Sequence, residues 1–187
     1  MRTRWMEWFF VGTAVICLAH PSVAQEKGKT EAAELTSASQ AALQQLYAAA
    51  PLAKQLGPTA HAILVFPKVT KAGLGIGGQY GEGALLKKGT AAAYYKTTGA
   101  SFGLQAGGQQ YGYAMFFMNP TALAELDSAK GFEVGVGPSV VLVDEGLAKT
   151  TTTNTLKDDI YAFVFGQKGL MAGLGIQGNK ITKITPK

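Results

Sequence analysis

The sequence predicts an α+β fold. The expected core is a large, strongly curved or barrel-like antiparallel sheet of glycine-rich strands, with an N-terminal helix and one inserted helix. Three observations carry this. Between Glu31 and Ala49, Leu35, Ala38, Ala42, Leu46 and Ala49 recur at three- and four-residue steps on an alanine-rich background, the period and composition of a helix. From Ala72 onward the chain becomes short alternating segments broken by glycine, the pattern of strands. Asn119-Pro120 then opens a second helical stretch with Leu123 and Leu126 on its apolar face. A helix, many strands, one helix and more strands is the order of an α+β domain.

The first 24 residues have a different character. Arg2 and Arg4 precede an apolar run from Trp8 to Ala19, and Ser22-Val23-Ala24 follows with small residues at the two positions a signal peptidase reads. The run is shorter than the roughly 20 residues a membrane span needs. We expect residues 1–24 to be a signal peptide cut near Ala24, with the protein exported to the periplasm or cell envelope. A lipid-attachment cysteine ordinarily follows a small residue. Ile16 precedes Cys17, so the cut after Ala24 is preferred and removes the chain's single cysteine. Residues 25–34 read as a flexible polar segment and 35–187 as the folded domain.

Within that domain Glu31 and Glu34 suit a helix's first turn. Pro51 ends or kinks the helix, a short turn reaches Leu56, and Gly57-Pro58 stops it. HAILVF, His61 to Phe66, reads as a strand closed by Pro67. Further strands are expected at Gly73–Tyr80, Gly83–Lys87, Ala91–Thr97, Ser101–Gly107 and Tyr111–Met118. Lys88-Gly89 and Gly107-Gly108 would form tight hairpin turns between them. The inserted helix should run from Asn119 to Lys130 and stop at Gly131. Strands at Phe132–Val136, Ser139–Asp144, Ile160–Phe165 and Leu170–Ile176 complete the reading, and TTTNTL at 150–155 is either an exposed strand or a loop.

The glycines invite a nucleotide-binding interpretation that fails on context. Gly73, Gly75 and Gly78 satisfy G-x-G-x-x-G, as do Gly173, Gly175 and Gly178. A dinucleotide loop must open a helix, with an acidic residue about 20 positions later. Gln79-Tyr80-Gly81-Glu82-Gly83 cannot propagate a helix, and Tyr94 to Thr98 contains no acid. Instead, Gly73, Gly75 and Gly77 alternate with Leu74 and Ile76, so one strand face is aliphatic and the other bare backbone. Gly103 and Gly107 repeat the theme, as do Gly173 and Gly175. Glycine is disfavoured inside strands unless the sheet bends, bulges or meets another segment closely. These seven are therefore read as structural glycines of a sharply curved sheet.

Nothing in the composition argues for an enzyme. After cleavage one histidine remains, His61, in an apolar strand, with no cysteine beside which to build a metal set. Asp158-Asp159 is the only adjacent aspartate pair, and Gly99-Ala100-Ser101-Phe102-Gly103 has the spacing of a nucleophile elbow without the helix that must follow. We expect no catalytic residues, metal or cofactor. Past residue 24 there are 15 lysines, no arginine and 11 acids, a net charge of 15 − 11 = +4. Lysine without arginine lacks the fork that reads guanine or grips phosphate bidentately, so nucleic acid is not an expected partner. Lys68, Lys71, Lys87, Lys88, Lys180 and Lys183 stand in predicted loops or ends and are the candidate contacts to an anionic membrane surface. Tyr94, Tyr95, Tyr111, Tyr113, Phe116 and Phe117 alternate in strands and are assigned chiefly to the core.

Three stretches resemble the SYLF domain: AILVFPKVTKAGLGIGGQYGEGALL (Ala62 to Leu86), GASFGLQAGGQQYGYAMFFMN (Gly99 to Asn119) and GLMAGLGIQGNKI (Gly169 to Ile181). The similarity runs from about Leu35 to Ile184. It implies a lipid-binding module. Eukaryotic members associate with phosphoinositide membranes and some with actin filaments, usually beside an SH3 or FYVE domain. A signal peptide before a lone SYLF-like domain is similar to the bacterial envelope branch, to which only generic binding of anionic lipid is carried over. The family's membrane-binding N-terminal helix is weakly represented, because Glu31 to Ala49 has no basic residue and only Tyr47 as a large aromatic. The resulting expectation is a non-enzymatic lipid-binding module contacting anionic phospholipid. The alternatives are an envelope scaffold for protein partners and a small outer-membrane β-barrel.

Overall fold

The computed structural model describes residues 22–128, 131–143, 157–169 and 178–186. Helix α1 spans Ser22–Ala49 and α2 spans Pro51–Leu56, with Pro51 at the first helical positions. The α1 start differs from expectation: it lies nine residues before Glu31 and takes in the 25–34 segment read as flexible. Glutamine, lysine and glutamate in that segment favour helix, and Lys27 lies 4.0 Å from Glu31 one turn on. The buried stripe is Ser39, Ala42, Leu43 and Leu46, while Ala38 and Ala49 are exposed. It is therefore rotated from the stripe expected.

Two long strands replace the five short ones expected between Gly73 and Met118, and the HAILVF strand merges into the first. β1 runs Ala62–Lys87 and β2 runs Thr90–Phe117. Lys88 (φ 50°) and Gly89 (φ 81°) form the turn between them, as the sequence indicates. Gly107-Gly108 is not a turn; it continues β2 opposite Gly73 and Ala72. Pro67 does not end β1. It is absorbed where the register shifts between Phe66 and Val69, on a strand that pairs with β2 alone among the described strands.

The hairpin is bent double. A second register shift between Leu74 and Ile76 lies beside the Gly73–Gly107 pair, with Gly107 at φ 151°. Beyond it the second half of β1 returns over the first. A Cβ on Gly81 would stand 2.8 Å from the Lys68 carbonyl oxygen and from the Val69 side chain. One on Gly83 would strike the Val65 carbonyl and come within 2.7 Å of the Phe66 ring. Glycine at these positions is what lets two stretches of one strand touch backbone to backbone.

The remaining strands extend each half. β3 (Phe132–Glu133), β4 (Val140–Val143), β5 (Ile160–Gly169) and β6 (Lys180–Ile184) join a sheet that has six strands among the described residues, in the order β3-β6-β2-β5-β4, with β1 on β2. β5 pairs with Gln109–Phe117 and β6 with Tyr94–Thr98, so the two halves of β2 carry different neighbours. The sheet curls into a half-barrel, in agreement with the predicted fold class. One pair departs from the antiparallel expectation: β4 and β5 are parallel, and the chain between Val143 and Ile160 is long enough for the crossover this requires. β3 is shorter than expected because Gly135 and Gly137, at φ 96° and 97°, turn the chain away. β6 lies beyond the last strand anticipated. The TTTNTL stretch, the expected Leu170–Ile176 strand, Gly173 and Gly175 lie outside the described residues.

The inserted helix is also shorter than expected. α3 spans Pro120–Ala124 and tightens into a 3₁₀ turn at Glu125–Asp127. Its start is as anticipated, since the Asn119 side chain accepts the Ala122 N–H at 2.8 Å.

The sheet has two apolar faces. On the concave side Leu64, Phe66, Tyr95, Met115, Phe117 and Ile160 pack with Leu126 from the 3₁₀ turn. On the other, α1 and α2 cover Ile63, Val65, Ala114, Phe116 and Phe163. Leu46, 1 % exposed, seats α1 there, a burial contributing about 1.5–3 kcal/mol. Ser39, fully buried, reaches the Val65 carbonyl and receives the Ala84 N–H, each at 3.3 Å. One helix side chain thus ties together the two halves of β1.

Substituting Gly83→Ala should destabilise the protein by about 1–3 kcal/mol through overpacking. Gly108→Ala, with nothing within 4 Å of the added carbon, should stay within about 0.5 kcal/mol. Urea unfolding of both variants measures the difference; equal midpoints would contradict the bent hairpin.

Candidate functional site

Three of the six predicted surface lysines gather around one acid, and a fourth is next to them in the chain. Asp127, at the end of the 3₁₀ turn, accepts hydrogen bonds from Lys183 Nζ and the Tyr95 hydroxyl, both at 2.9 Å. Lys87, on the last residue of β1, is close enough to act on Asp127 electrostatically, and Lys88 follows it in the turn. Lys180 lines a depression of about 230 Å³ with Asp127, Lys183 and Gly131. All four lysines are exposed. Two acids share this end: Glu133 stands opposite Lys180 in register, and Glu125 opens the 3₁₀ turn. Long side chains on a hairpin tip and an adjacent strand can cover a flat anionic surface together, which residues so far apart in sequence do not suggest on their own.

The other two lysines go elsewhere. Lys68 is exposed in the irregular stretch of β1. Lys71 is not in a loop. It is 7 % exposed and sits opposite Gln109 within the β1–β2 ladder. His61, expected inside an apolar strand, is exposed just before β1, where its N–H bonds Phe117 O at 2.8 Å. Of the structural glycines, Gly73, Gly77 and Gly107 occupy paired positions on β1 and β2, while Gly75 and Gly103 lie at the irregular bend of the same strands. The closest backbone approaches fall at Gly81 and Gly83, which were not among those singled out. Their signal in the sequence was the same alternation, continued through GQYGEG.

Asp127 has its carboxyl held below the usual carboxylate range, first by Lys183 and then by Tyr95. Asp159 is lowered too, by the Ser139 N–H first and by the Asn119 and Ser139 side chains. It links the start of α3 to β5 through the 2.6 Å bond from Asn119. Of the predicted core aromatics, Tyr95, Tyr111, Tyr113, Phe116 and Phe117 are buried and Tyr94 partly so.

Two further features lie outside the lysine cluster. A groove of about 660 Å³ runs between α1, the middle of the hairpin and the C-terminal tail, with Glu31, Glu34, Glu82, Tyr80 and Lys96 on its walls. Its three carboxylates make it unsuited to an anionic head group. The second feature is a buried polar row on the concave face. Tyr111 donates to Gln79 Oε1 at 2.7 Å, and Gln79 donates to Asn179. Gly99 opposite Gln79 carries no side chain, and the two amides occupy the space a Cβ would need. Thr97, Gln109 and Tyr113 share this face. The Thr97 and Tyr113 hydroxyls, Asn179 Nδ2 and Gln109 Oε1 have no hydrogen-bond partner among the described residues. Each unmet buried group costs about 1–3 kcal/mol, and such groups are few in native proteins.

Residues 98–185 match the family model Ysc84, described as Las17-binding protein actin regulator. The match supports the SYLF resemblance over the C-terminal half of the chain; the Ala62–Leu86 signature lies outside it. That family is one of binding modules and not of enzymes. No curated protein matches the chain.

Because Asp127 is depressed in the folded protein, its contribution is fully present above the ordinary carboxylate value of 3.8 and fades as pH falls through its lower folded value. Asp127→Asn should therefore lower the urea midpoint at pH 7 but not once both states are protonated. A deficit that persists unchanged into strong acid would contradict the assignment.

Proposed function

We propose that this protein is a non-enzymatic module that binds anionic lipid at the surface of a membrane in the bacterial cell envelope. It reaches that place by export after cleavage of residues 1–24, and residues 35–187 form the binding domain. The observation that carries the reading is the grouping of Lys87, Lys180 and Lys183 around Asp127, with Lys88 following Lys87 in the turn. Asp127 holds Lys183 in place, Lys87 and Lys180 stand at strand ends, and Lys88 lies in the β1–β2 turn. The SYLF resemblance points the same way, and the family match is consistent with it. Among the described residues no helix is long and apolar enough to cross a membrane, so contact through head groups is the mode proposed.

A second reading has its own support. The matching family is described by a protein partner, Las17, and by regulation of actin. An exported protein would meet other partners, so this reading becomes an envelope scaffold. The β-barrel alternative is disfavoured, because α1 and α2 cover the face that a membrane-embedded barrel must present to lipid.

Sedimentation with vesicles of phosphatidylglycerol in phosphatidylcholine tests the leading reading. Binding should rise with the anionic fraction and fall with salt. Each basic residue at an anionic surface contributes about 1 kcal/mol. Reversing all four lysines to glutamate should therefore weaken binding by at least about a hundredfold. Unchanged binding would remove the lysine surface from the account. Retained capture of envelope proteins by a variant that no longer binds vesicles would favour the scaffold.

A further inference from the structure

Helix α1 covers only part of the sheet face on which it lies. Its buried stripe runs from Leu46 back through Leu43 and Ala42 to Ser39. One turn earlier the same side carries Leu35 and Thr36, both half-buried, and Leu35 belongs to neither apolar core. At this level helix and sheet meet through the Thr36 and Tyr94 hydroxyls, 2.9 Å apart. The sheet continues past that point. Ala84 packs under α1, and strand alternation puts Glu82 and Tyr80 on the same face. Lys96 follows Tyr94 on that face, and Ile184 stands opposite Tyr94 in register. Between α1 and this stretch of sheet lies the groove of about 660 Å³. Sites that hold a ligand run to roughly 300–1,000 Å³.

The groove combines apolar surface with carboxylates. Leu35 and Ala38 line it from the helix, and Ile184 and Pro186 from the C-terminal tail. Tyr80 keeps 50 % of its surface exposed there, and its hydroxyl donates to Glu82. Glu31 and Glu34 on the helix and Glu82 on the sheet face one lining cation, Lys96. Glu31 has Lys27 at 4.0 Å. Glu34 and Glu82 have no ion-pair partner among the described residues, although Lys96 stands opposite Glu82 in the ladder. A chain that is net positive past residue 24 thus gathers negative charge at this groove, which selects a cationic occupant. The carboxylates stand on both the helix and the sheet, so the occupant that reaches them is extended. Basic side chains have the right form: an apolar stem that can lie on Leu35 and Ile184, and a charged head that can meet a carboxylate or the Tyr80 ring.

We propose that this groove docks a basic segment of a partner protein, one that carries lysine or arginine together with apolar side chains. The basic heads meet Glu31, Glu34 and Glu82, and the apolar side chains rest on Leu35, Ala38 and Ile184. The site does not rest on lipid binding by the lysine end. The fourfold reversal of Lys87, Lys88, Lys180 and Lys183 leaves the groove intact, so the two readings fail separately.

Anisotropy titration of the protein against a short, end-blocked, fluorescently labelled peptide of lysine and leucine tests the proposal. Wild type should bind it saturably and more weakly as salt rises, and the same peptide with glutamate for lysine should not bind. Glu31→Gln, Glu34→Gln and Glu82→Gln together should weaken binding at least about tenfold. Ala38→Trp fills the groove from an exposed helix position without changing charge. It should weaken binding as much while keeping its unfolding midpoint. Tyr80→Ser, at a half-exposed site, should also weaken binding and serves if Ala38→Trp does not fold. Glu125→Gln with Glu133→Gln removes two exposed acids at the lysine end and should leave the affinity unchanged. The proposal is overturned if the lysine peptide does not bind saturably, if the glutamate peptide binds equally well, or if the groove variants bind like wild type. It is also overturned if wild type self-associates on sedimentation and Ala38→Trp abolishes that association, since the occupant is then a second copy.

Discussion

The structure depends on one close approach: the backbone of Gly81 and Gly83 lying against Val65 to Val69 of the same strand. Any side chain at these glycines would push the two halves of β1 apart. With them bare, a hairpin of 26 and 28 residues folds over itself instead of extending as a ribbon. The bend is placed by the register shift at Leu74–Ile76 and the Gly73–Gly107 pair. Ser39 secures it from outside by bonding to both halves at once. Because the helix stripe, the two sheet faces and the different neighbours of β2 all follow from that bend, the fold has little freedom to lose it.

The same bend organises the functional surfaces. It brings the β1–β2 tip beside β6 and the 3₁₀ turn, so that lysines about 90 residues apart in sequence share Asp127. It also turns the middle of the hairpin inward, closing Tyr111 over Gln79 and Asn179. One end of the molecule is therefore cationic and exposed, and the interior polar and enclosed. The acidic groove beside α1 is a third surface, of opposite charge. With such separated surfaces, the membrane contact proposed for the lysine end would have one orientation, since the acidic side is repelled by an anionic surface.

The fold class was legible because its signals are local: alanine-rich helical periodicity, strand alternation, and an N-cap at Asn119 that forms as read. The failures were places where a local signal is overruled by tertiary contact. Pro67 and Gly107-Gly108 look like strand ends, yet ladder pairing with β2 carries the chain through both. The α1 stripe was displaced because Ser39, polar and therefore passed over, is the residue that faces the sheet. Lys71 resembles its exposed neighbour Lys68, and strand alternation alone separates them: one faces solvent, the other the interior. The lysines were visible as a set, but not the role of Asp127, since an isolated acid beyond a short helix has no signature. Gln79, Asn179 and Thr97 were invisible for a similar reason. Single amides and hydroxyls acquire meaning when burial leaves them without partners.

The bend itself is open to direct test. Residues 65 and 83 lie 18 positions apart, about 60 Å along an extended strand. Nuclear Overhauser spectroscopy of isotopically labelled protein should show cross-peaks from the Gly83 α-protons to the Phe66 ring and Val65. Their presence is the result the account requires. Their absence, with the β1–β2 cross-strand peaks intact, would mean that the hairpin runs straight, and the half-barrel, the lysine cluster and the interior polar row would fall with it.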